Sequence, residues 1–213
     1  MDFNICNVRT RWINVDKDVE KAQQMQELLD GLEFTNHQRF SAVTGIAPHE
    51  GVRKGEEHYR NCAESHFKIL EQTILKDGEP VLILEDDIDL EKEAFVKEFP
   101  LPKDADAIYF GTSHGDNSYE AIDQGNGYNK IVRVYATHAI MYLNPEFAKK
   151  TIEEGKTHIY KHNRPFDLAL AYEVQPHVPY FYQADAKNSV NKWENVTRPP
   201  LNKKKKFSVW TIE

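Results

Sequence analysis

Hydrophobic and polar positions along the 213-residue chain follow two periods, and together they predict alternating strands and helices. Apolar residues spaced three and four apart predict amphipathic helices, while short apolar runs bounded by Gly or Pro predict strands. The predicted helices cover residues 18–32, 56–76, 144–154 and 166–174. The predicted strands cover residues 3–8, 34–43, 81–84, 107–110, 131–135, 138–143 and 180–183. Strands alternate with helices in the first half, so we predict an α/β sandwich with helices flanking a mostly parallel central sheet.

One predicted strand, residues 81–84, runs directly into carboxylates at 85–87, and Asp89 adds another. Open α/β sheets place their ligand sites at the carboxyl ends of strands. Adjacent carboxylates repel one another unless a cation or water takes up the charge, and hard oxygen ligands suit Mg²⁺ or Mn²⁺ shared with a phosphate. The pattern therefore suggests an enzyme acting on a metal-bound phosphate ester such as a nucleotide sugar. A solvated acidic turn without a function is the alternative interpretation.

The spacing within this acidic run, defined as Glu85, Asp86 and Asp87, suggests separate roles for its members. Side chains two residues apart on extended backbone share a side, so Glu85 and Asp87 are the expected metal ligands, with Asp87 in direct contact. Glu85 or Asp86 is also expected to hold the ribose or a metal-bound water. An alternative register pairs Asp87 with Asp89, although Asp89 equally suits the cap of a short helix around 91–96.

Composition narrows the class of protein. Hydrophobic content of 40% and charged content of 29% indicate one soluble globular domain over residues 1–213. The net charge of -7 argues against a nucleic-acid partner, and the basic run 203–206 is interpreted as a tail or a junction in a longer protein. No apolar stretch approaches the roughly 20 residues of a membrane span. Two cysteines and no leader-like N-terminus favour a reducing, cytoplasmic setting.

Further candidates come from charge and loop chemistry. Arg9 and Arg11 follow the first predicted strand, where a guanidinium could bind a phosphate group, with plain surface arginines as the alternative. The polar stretch 113–127 contains three glycines and is predicted to be a mobile loop that covers the ligand edge. Asp167 lies in the first turn of a predicted helix, where helix capping is an ordinary role for it.

Six segments in chain order carry a resemblance to a known family. They are Arg39-Phe-Ser-Ala-Val-Thr-Gly45, Cys62-Ala-Glu-Ser-His66, Leu82-Ile-Leu-Glu-Asp-Asp87, Thr137-His-Ala-Ile-Met-Tyr-Leu143, Pro165-Phe-Asp167, and Gln183 with Ser189 and Val190. Together they resemble glycosyltransferase family 25, the group of lipopolysaccharide and procollagen sugar transferases. The opening Asn7-Val-Arg-Thr-Arg11 loosely resembles the family's N-L-x-x-R start. No single segment is specific, but six in the right order are.

The resemblance implies a GT-A type fold and an enzyme, bacterial or virus-encoded. It implies a UDP-sugar donor, Mn²⁺ or Mg²⁺, a glycan or glycoprotein acceptor, and inversion at the anomeric carbon. Asp167 becomes the candidate catalytic base as well as a candidate cap. Asn7, Arg9, Arg11, Ser65, His66, Glu85 and Asp86 become candidate donor-binding residues, and Asp87 and Glu85 candidate metal ligands.

Two other functions remain open from the sequence. One is a nucleotide-sugar-binding module that keeps the acidic run but lacks a productive base. The other is a metal-dependent phosphoesterase, for which further Asp- and His-rich clusters along the chain are expected, whereas the sequence has one acidic cluster.

Overall fold

The computed structural model describes residues 3–52, 57–89, 95, 97–101, 105–110, 120–123, 129–133, 137–170, 181–183 and 190–191. The helices are α1 (Val19–Gly31), α2 (Tyr59–Gln72), α3 (Ile74–Asp77), α4 (Pro145–Lys161) and α5 (Phe166–Ala169). The strands are β1 (Phe3–Asn4), β2 (Arg9–Asn14), β3 (His37–Ser41), β4 (Val81–Glu85), β5 (Ile88–Asp89), β6 (Glu98–Phe99), β7 (Ala107–Tyr109), β8 (Glu120–Asp123), β9 (Asn129–Arg133), β10 (Ala139–Tyr142), β11 (Phe181–Gln183) and β12 (Val190–Asn191).

Eight of these strands form one sheet in the order β3-β2-β4-β10-β7-β11-β9-β8. β2 is parallel to β3 and β4, and β11 is parallel to β7. β10 is antiparallel to β4 and β7, and β9 is antiparallel to β11 and β8. Six of the eight strands therefore run in one direction, with β10 and β9 reversed. The predicted α/β class with a central sheet flanked by helices is confirmed.

β4 is buried on both faces because helices cover each side of the sheet. Val81 and Ile83 join a core cluster that includes residues of α2 and α4. Leu82 and Leu84 join a second cluster that includes Met25 and Leu29 of α1. A strand covered on both faces needs a continuous apolar run, which is the pattern that the sequence shows.

The prediction of a first strand over 3–8 is wrong. β1 ends at Asn4, and a short 3₁₀ helix, Ile5–Asn7, follows, with the Asn4 side chain accepting a hydrogen bond from the Cys6 amide. The strand that enters the large sheet is β2, whose alternate residues Thr10, Trp12 and Asn14 are buried. The sequence pattern does not predict this strand, because several of its residues are polar. Their side chains form hydrogen bonds within the protein, so they can be buried without being apolar.

Helix bounds also differ from the predictions. The predicted helix 56–76 is divided at Thr73, whose hydroxyl donates to the Ile69 carbonyl at the end of α2. α4 continues through Gly155 to Lys161, because Gly155 lies inside the helix where the Phe67 ring packs closely against it.

The predicted loop, the basic run and the cysteines are further features of the sequence. Within the predicted loop 113–127, residues Glu120–Asp123 form β8, and the remainder lies outside the described residues, as does the basic run 203–206. Both cysteines are free thiols. In the described part of the chain, no helix has the length and apolar character needed to cross a bilayer.

Candidate active site

The carboxyl ends of the three parallel strands meet at one edge of the sheet, and the acidic run begins there. Ile13 pairs with Glu85, and Asn14 pairs with Ser41. The beginning of α2 reaches the same edge, where its Cys62 and His66 contact Glu85. This is the edge at which α/β proteins hold ligands.

Glu85 points toward α2, as Val81 and Ile83 do earlier in the same strand. Its Oε1 accepts hydrogen bonds from Thr137 Oγ1 at 2.6 Å and from His66 Nε2 at 2.9 Å. Cys62 Sγ lies 3.6 Å from the same oxygen. Burial raises the pKa of Glu85, but the hydrogen bonds and charge of His66 and the Thr137 hydroxyl outweigh it and hold the pKa at about 2. Glu85 is therefore an ionised carboxylate fixed by its neighbours.

Asp86 turns to the opposite side, toward α1. Its Oδ2 accepts a hydrogen bond from Asn14 Nδ2 at 2.6 Å, and its Oδ1 forms an ion pair with Lys21 Nζ at 3.3 Å. Asn14 Oδ1 in turn accepts from Arg39 Nε at 2.8 Å. The amide of Asn14 thus links the end of β4 to Arg39 of β3.

A carboxylate from the loop after β2 completes this network. Arg39 Nη2 pairs with Asp16 Oδ1 at 2.6 Å, and the Ser41 hydroxyl donates to the same oxygen at 2.7 Å. The pKa of Asp16 is held below its usual range by these hydrogen bonds. Charged and amide groups from β2, β3, β4 and α1 therefore share one side of the sheet edge.

Asp87 is the member of the acidic run whose environment is least satisfied. Its Oδ1 is buried and has no hydrogen-bond partner among the described residues. Burial, followed by the charges of Glu85 and Asp86, raises the pKa of Asp87 to about 7. A buried carboxylate oxygen without a partner is costly unless a proton or a cation occupies it, so the donor chemistry here fits a hard divalent ion.

Asp167 comes to the same side of the edge. Burial raises the pKa of the Cys62 thiol, and the charges of Glu85, Asp87 and Asp167 raise it further, so Asp167 acts electrostatically on the same thiol as two carboxylates of the acidic run. Asp167 is not the cap residue of α5, because Pro165 occupies that position.

The ring of Phe166 fixes the short helix that carries Asp167. Its centroid lies 5.1 Å from the Phe67 ring and 5.6 Å from the His66 ring, so α5 is packed directly on α2. Phe166, next to Asp167, and Phe67, next to His66, are thus in direct contact in the core. Packing of this kind determines where the Asp167 carboxylate lies relative to Glu85.

A second donor set lies inside the site. The ligand atoms of Cys62, His66 and Glu85 are all within 4.8 Å of one another. Sulfur and imidazole favour a softer ion such as Zn²⁺, whereas Mn²⁺ and Mg²⁺ favour oxygen. Because His66 Nε2 donates directly to Glu85, a proton already bridges these two groups. Asp87, with Glu85 and Asp86 beside it, is therefore the better candidate for a hard cation.

The structure places Asn7 and Arg9, two of the predicted donor-binding residues, at the end of β2 opposite the acidic run. Arg9 lies at the start of β2 and pairs with Val81, four residues before Glu85. Its guanidinium binds both carboxylate oxygens of Asp77, at 2.6 and 2.9 Å, and the Glu79 carbonyl. Asn7 is at the same end, in the 3₁₀ helix.

Two other predicted donor-binding residues have different positions from those expected. Arg11 lines a cavity of about 200 Å³ together with Gln72 and Thr73 at the end of α2, away from its beginning. Ser65 is fully buried, accepts a hydrogen bond from the Val43 amide and donates to the Asn61 carbonyl. Ser65 is thus engaged in holding the segment after β3 against α2, whereas His66 reaches Glu85.

Sequence reasoning missed Asn14, Lys21, Arg39 and Thr137. Arg39 and Thr137 lie inside segments that resemble the family, but an arginine or a threonine there gave no reason by itself to predict a role in the site. Asn14 was missed because the first strand was predicted over 3–8 rather than over β2, and Lys21 was missed because nothing in the sequence of its helix indicates that it pairs with Asp86. Trp12 and Ile13 could have indicated this strand. They are an apolar pair followed by Asn14 and Asp16, and so repeat the pattern of a strand that ends in polar residues.

Carboxylates at the carboxyl edge of a mixed α/β sheet are typical of a ligand-binding α/β protein, and the sequence comparison identifies the family. A sequence profile described as glycosyltransferase family 25 (LPS biosynthesis protein) matches residues 12–176. The chain therefore belongs to glycosyltransferase family 25. The match includes the whole acidic site and excludes Asn7, Arg9 and Arg11.

Other comparisons add less. A crystal structure of a glycosyltransferase involved in the glycosylation of the major capsid of PBCV-1 is 15% identical in sequence, with a TM-score of 0.49. The similarity covers 84% of this chain and 82% of that chain. No curated protein matches the chain.

Proposed function

We propose that this glycosyltransferase moves a sugar from a UDP-sugar to a hydroxyl of a glycan or glycoprotein, with a divalent cation and with inversion at the anomeric carbon. The observation that carries the proposal is Asp87, whose buried Oδ1 has no hydrogen-bond partner in the described part of the chain, at the carboxyl edge of the sheet. The proposed acceptor and inversion rest on family membership.

Asp87 is the proposed principal ligand of Mn²⁺ or Mg²⁺, with Glu85 and Asp86 adding negative charge beside it. When bound, the cation would neutralise the diphosphate leaving group. Glu85 is held by His66 and Thr137, so we assign it to fixing the end of β4 and the local charge.

The donor nucleoside is proposed to lie on the α1 side of the acidic run. Asp86, Asn14, Lys21 and Arg39 are already connected there by hydrogen bonds and an ion pair. A carboxylate and an amide suit the hydroxyls of a ribose, while Lys21 and Arg39 suit phosphate oxygens. These residues replace Asn7, Arg9 and Arg11 as donor-side candidates.

Asp167 is the proposed base. It lies on the Cys62 side with Asp87, and α5 is anchored to α2 through Phe166. A base accepts the proton of the attacking acceptor hydroxyl, and in an inverting transfer it acts on the face of the sugar opposite the leaving diphosphate.

Calorimetry with UDP tests the metal. We expect UDP to bind in Mn²⁺ and to bind much more weakly in EDTA, because carboxylates and diphosphate repel each other without a cation between them. Asp87→Asn should abolish this metal dependence. Asp77→Asn is the matched control, since Asp77 is paired with Arg9 at the other end of β2. Equal UDP affinity in EDTA and Mn²⁺ would refute the metal site.

Turnover distinguishes an enzyme from a binding module. UDP release from a UDP-sugar, followed in Mn²⁺ and without acceptor, should be slow but measurable and should disappear in Asp87→Asn. The anomeric configuration of the product, measured by NMR, tests inversion. Tight binding of UDP with no release from any UDP-sugar would favour the binding module.

A further inference from the structure

A cavity of about 590 Å³ lies at the amino ends of β2 and β4, and the proposed transfer chemistry does not use it. Its walls include Phe3, Asn7, Arg9, Asn36 and Glu79, and we call it the amino-edge cavity. Small-molecule sites commonly have volumes of roughly 300–1,000 Å³, so this cavity is large enough for a ligand.

The amino-edge cavity is separate from the acidic run. Arg9 pairs with Val81 at its end of the sheet, whereas Ile13 pairs with Glu85 at the other end. Four residues along a strand span about 13 Å. The family profile begins at residue 12, so the Phe3 to Arg9 wall lies outside the matched region. Of the residues that would hold a ligand here, Phe3 and Asn7 lie outside the family profile, whereas Asn36 lies inside it.

The charges of the cavity argue against a phosphate or nucleotide. Arg9 is its basic side chain, and both of its terminal nitrogens are already bound to Asp77 and to the Glu79 carbonyl. Glu79, an acidic residue, lines the cavity as well. With its cation neutralised and an acid nearby, this surface would repel an anion rather than bind it.

The remaining side chains suit a polyhydroxylated ligand. Asn7 and Asn36 are exposed, and an amide both donates and accepts hydrogen bonds, as sugar hydroxyls do. Asn7 Oδ1 accepts from the Thr35 hydroxyl at 3.3 Å, which leaves its NH₂ group to donate. Phe3 contributes an aromatic ring, held against Phe99 with centroids 5.7 Å apart, and such a ring packs well on the C–H face of a sugar.

We propose that the amino-edge cavity binds a neutral sugar residue of a glycan through Phe3, Asn7 and Asn36. The inference goes beyond the proposed function, because sugar binding here needs neither donor nor metal. A transferase with such a second site would hold a glycan chain at a distance from the reacting hydroxyl and so favour extended acceptors over single sugars.

Saturation-transfer NMR with methyl glycosides of glucose, galactose, mannose and N-acetylglucosamine tests the site. At least one glycoside should bind the whole chain at millimolar concentration, without Mn²⁺. Asn7→Ala and Asn36→Ala should each weaken that binding by roughly tenfold, the effect of losing about 1.4 kcal/mol. Gln24→Ala is the matched control, since Gln24 is an exposed amide on α1. Phe3→Leu, which keeps an apolar side chain, should weaken it as well.

Four results would overturn the proposal. One is that no glycoside binds. Another is that a glycoside binds equally well to the Asn7, Asn36 and Gln24 variants. Displacement of the glycoside by UDP with Mn²⁺ would also overturn the proposal, because it would place the glycoside at the acidic run. The fourth is that the cavity binds a polycation instead of a sugar. In that case spermidine would bind the parent protein and bind the Asn7 and Asn36 variants more weakly, while the affinity of every glycoside would be the same in all of these proteins. UDP calorimetry on the same proteins tests the transferase separately, so failure of one proposal is distinguishable from failure of the other.

Discussion

Gly155 of α4 offers a direct test of how packing positions the candidate base. A Cβ atom at this residue would lie 2.5 Å from Phe67 Cζ, 2.8 Å from Phe67 Cε1 and 3.1 Å from Phe166 Cδ2. Carbon atoms in contact normally stay about 3.5–4.0 Å apart, so the overlap with Phe67 is about 1 Å. Both rings are buried, and Phe67 has no exposed surface, so neither ring has free space into which to move.

Two effects of opposite sign decide the stability of Gly155→Ala. Alanine in a helix interior gains roughly 1 kcal/mol over glycine. Overpacking a core costs about 1–3 kcal/mol, and the upper part of that range applies because two rigid rings are compressed. We therefore expect a net loss of about 1–2 kcal/mol. For a domain of this size, that loss lowers Tm by roughly 2–8 °C.

The same substitution should reduce turnover. Phe166 immediately precedes Asp167, so a displaced Phe166 ring moves the candidate base, while the acidic run at the end of β4 keeps its contacts. UDP binding in Mn²⁺ should then remain near that of the parent protein, with kcat lowered.

Urea unfolding, UDP calorimetry and turnover measure the three effects. Phe67→Leu in the Gly155→Ala background relieves the overlap, so the double variant should lose less stability than the sum of the single variants. A Gly155→Ala protein with unchanged or raised stability and normal turnover would refute the reasoning, because the rings would then be free to rearrange without moving Asp167.

Three further predictions concern the carboxylates. Asp167→Asn should leave metal-dependent UDP binding intact and lower turnover by roughly 10²–10⁴-fold, the usual loss of general-base help; normal turnover would exclude Asp167 as base. Thr137→Val removes the 2.6 Å hydrogen bond to the partly buried Glu85 carboxylate and should cost about 1.5–3 kcal/mol in urea unfolding, whereas an unchanged midpoint would mean that water replaces the hydroxyl. Because folding raises the pKa of Asp87 to about 7, metal-free stability should fall as pH rises from about 4 to 7, and Asp87→Asn should flatten that part of the profile. A stability profile unchanged by Asp87→Asn would contradict the raised pKa.

The sequence was most informative where a local pattern alone specifies structure. The apolar run before the acidic residues had to be a strand covered on both faces, and six ordered segments indicated the family. The sequence was least informative at the beginning of the chain, where β2 contains Arg9, Thr10 and Arg11. Satisfied polar side chains do not produce the alternation that predicts a strand, so the strand was placed too early.

That error placed two of the candidate donor-binding residues at the opposite end of the sheet from the acidic run. A strand placed over 3–8 leaves Arg9 and Arg11 after its carboxyl end, whereas β2 places Arg9 at its amino end and Asn14 at its carboxyl end. A shift of six residues along a strand is about 20 Å, which exchanges one sheet edge for the other. The donor-side residues that we propose instead, Asn14, Lys21 and Arg39, are connected to one another and to Asp86 near the carboxyl end of β2.

By itself, the sequence determined the α/β class, the family and the position of the acidic run, because these follow from local patterns and from ordered motifs. Only the tertiary structure decided which groups each carboxylate contacts. Glu85 meets His66 and Thr137, and Asp86 meets Asn14 and Lys21, all distant in sequence. Strand register and helix packing set those partners, so they alone distinguish a carboxylate held by protein groups from Asp87, whose Oδ1 has no partner in the described part of the chain.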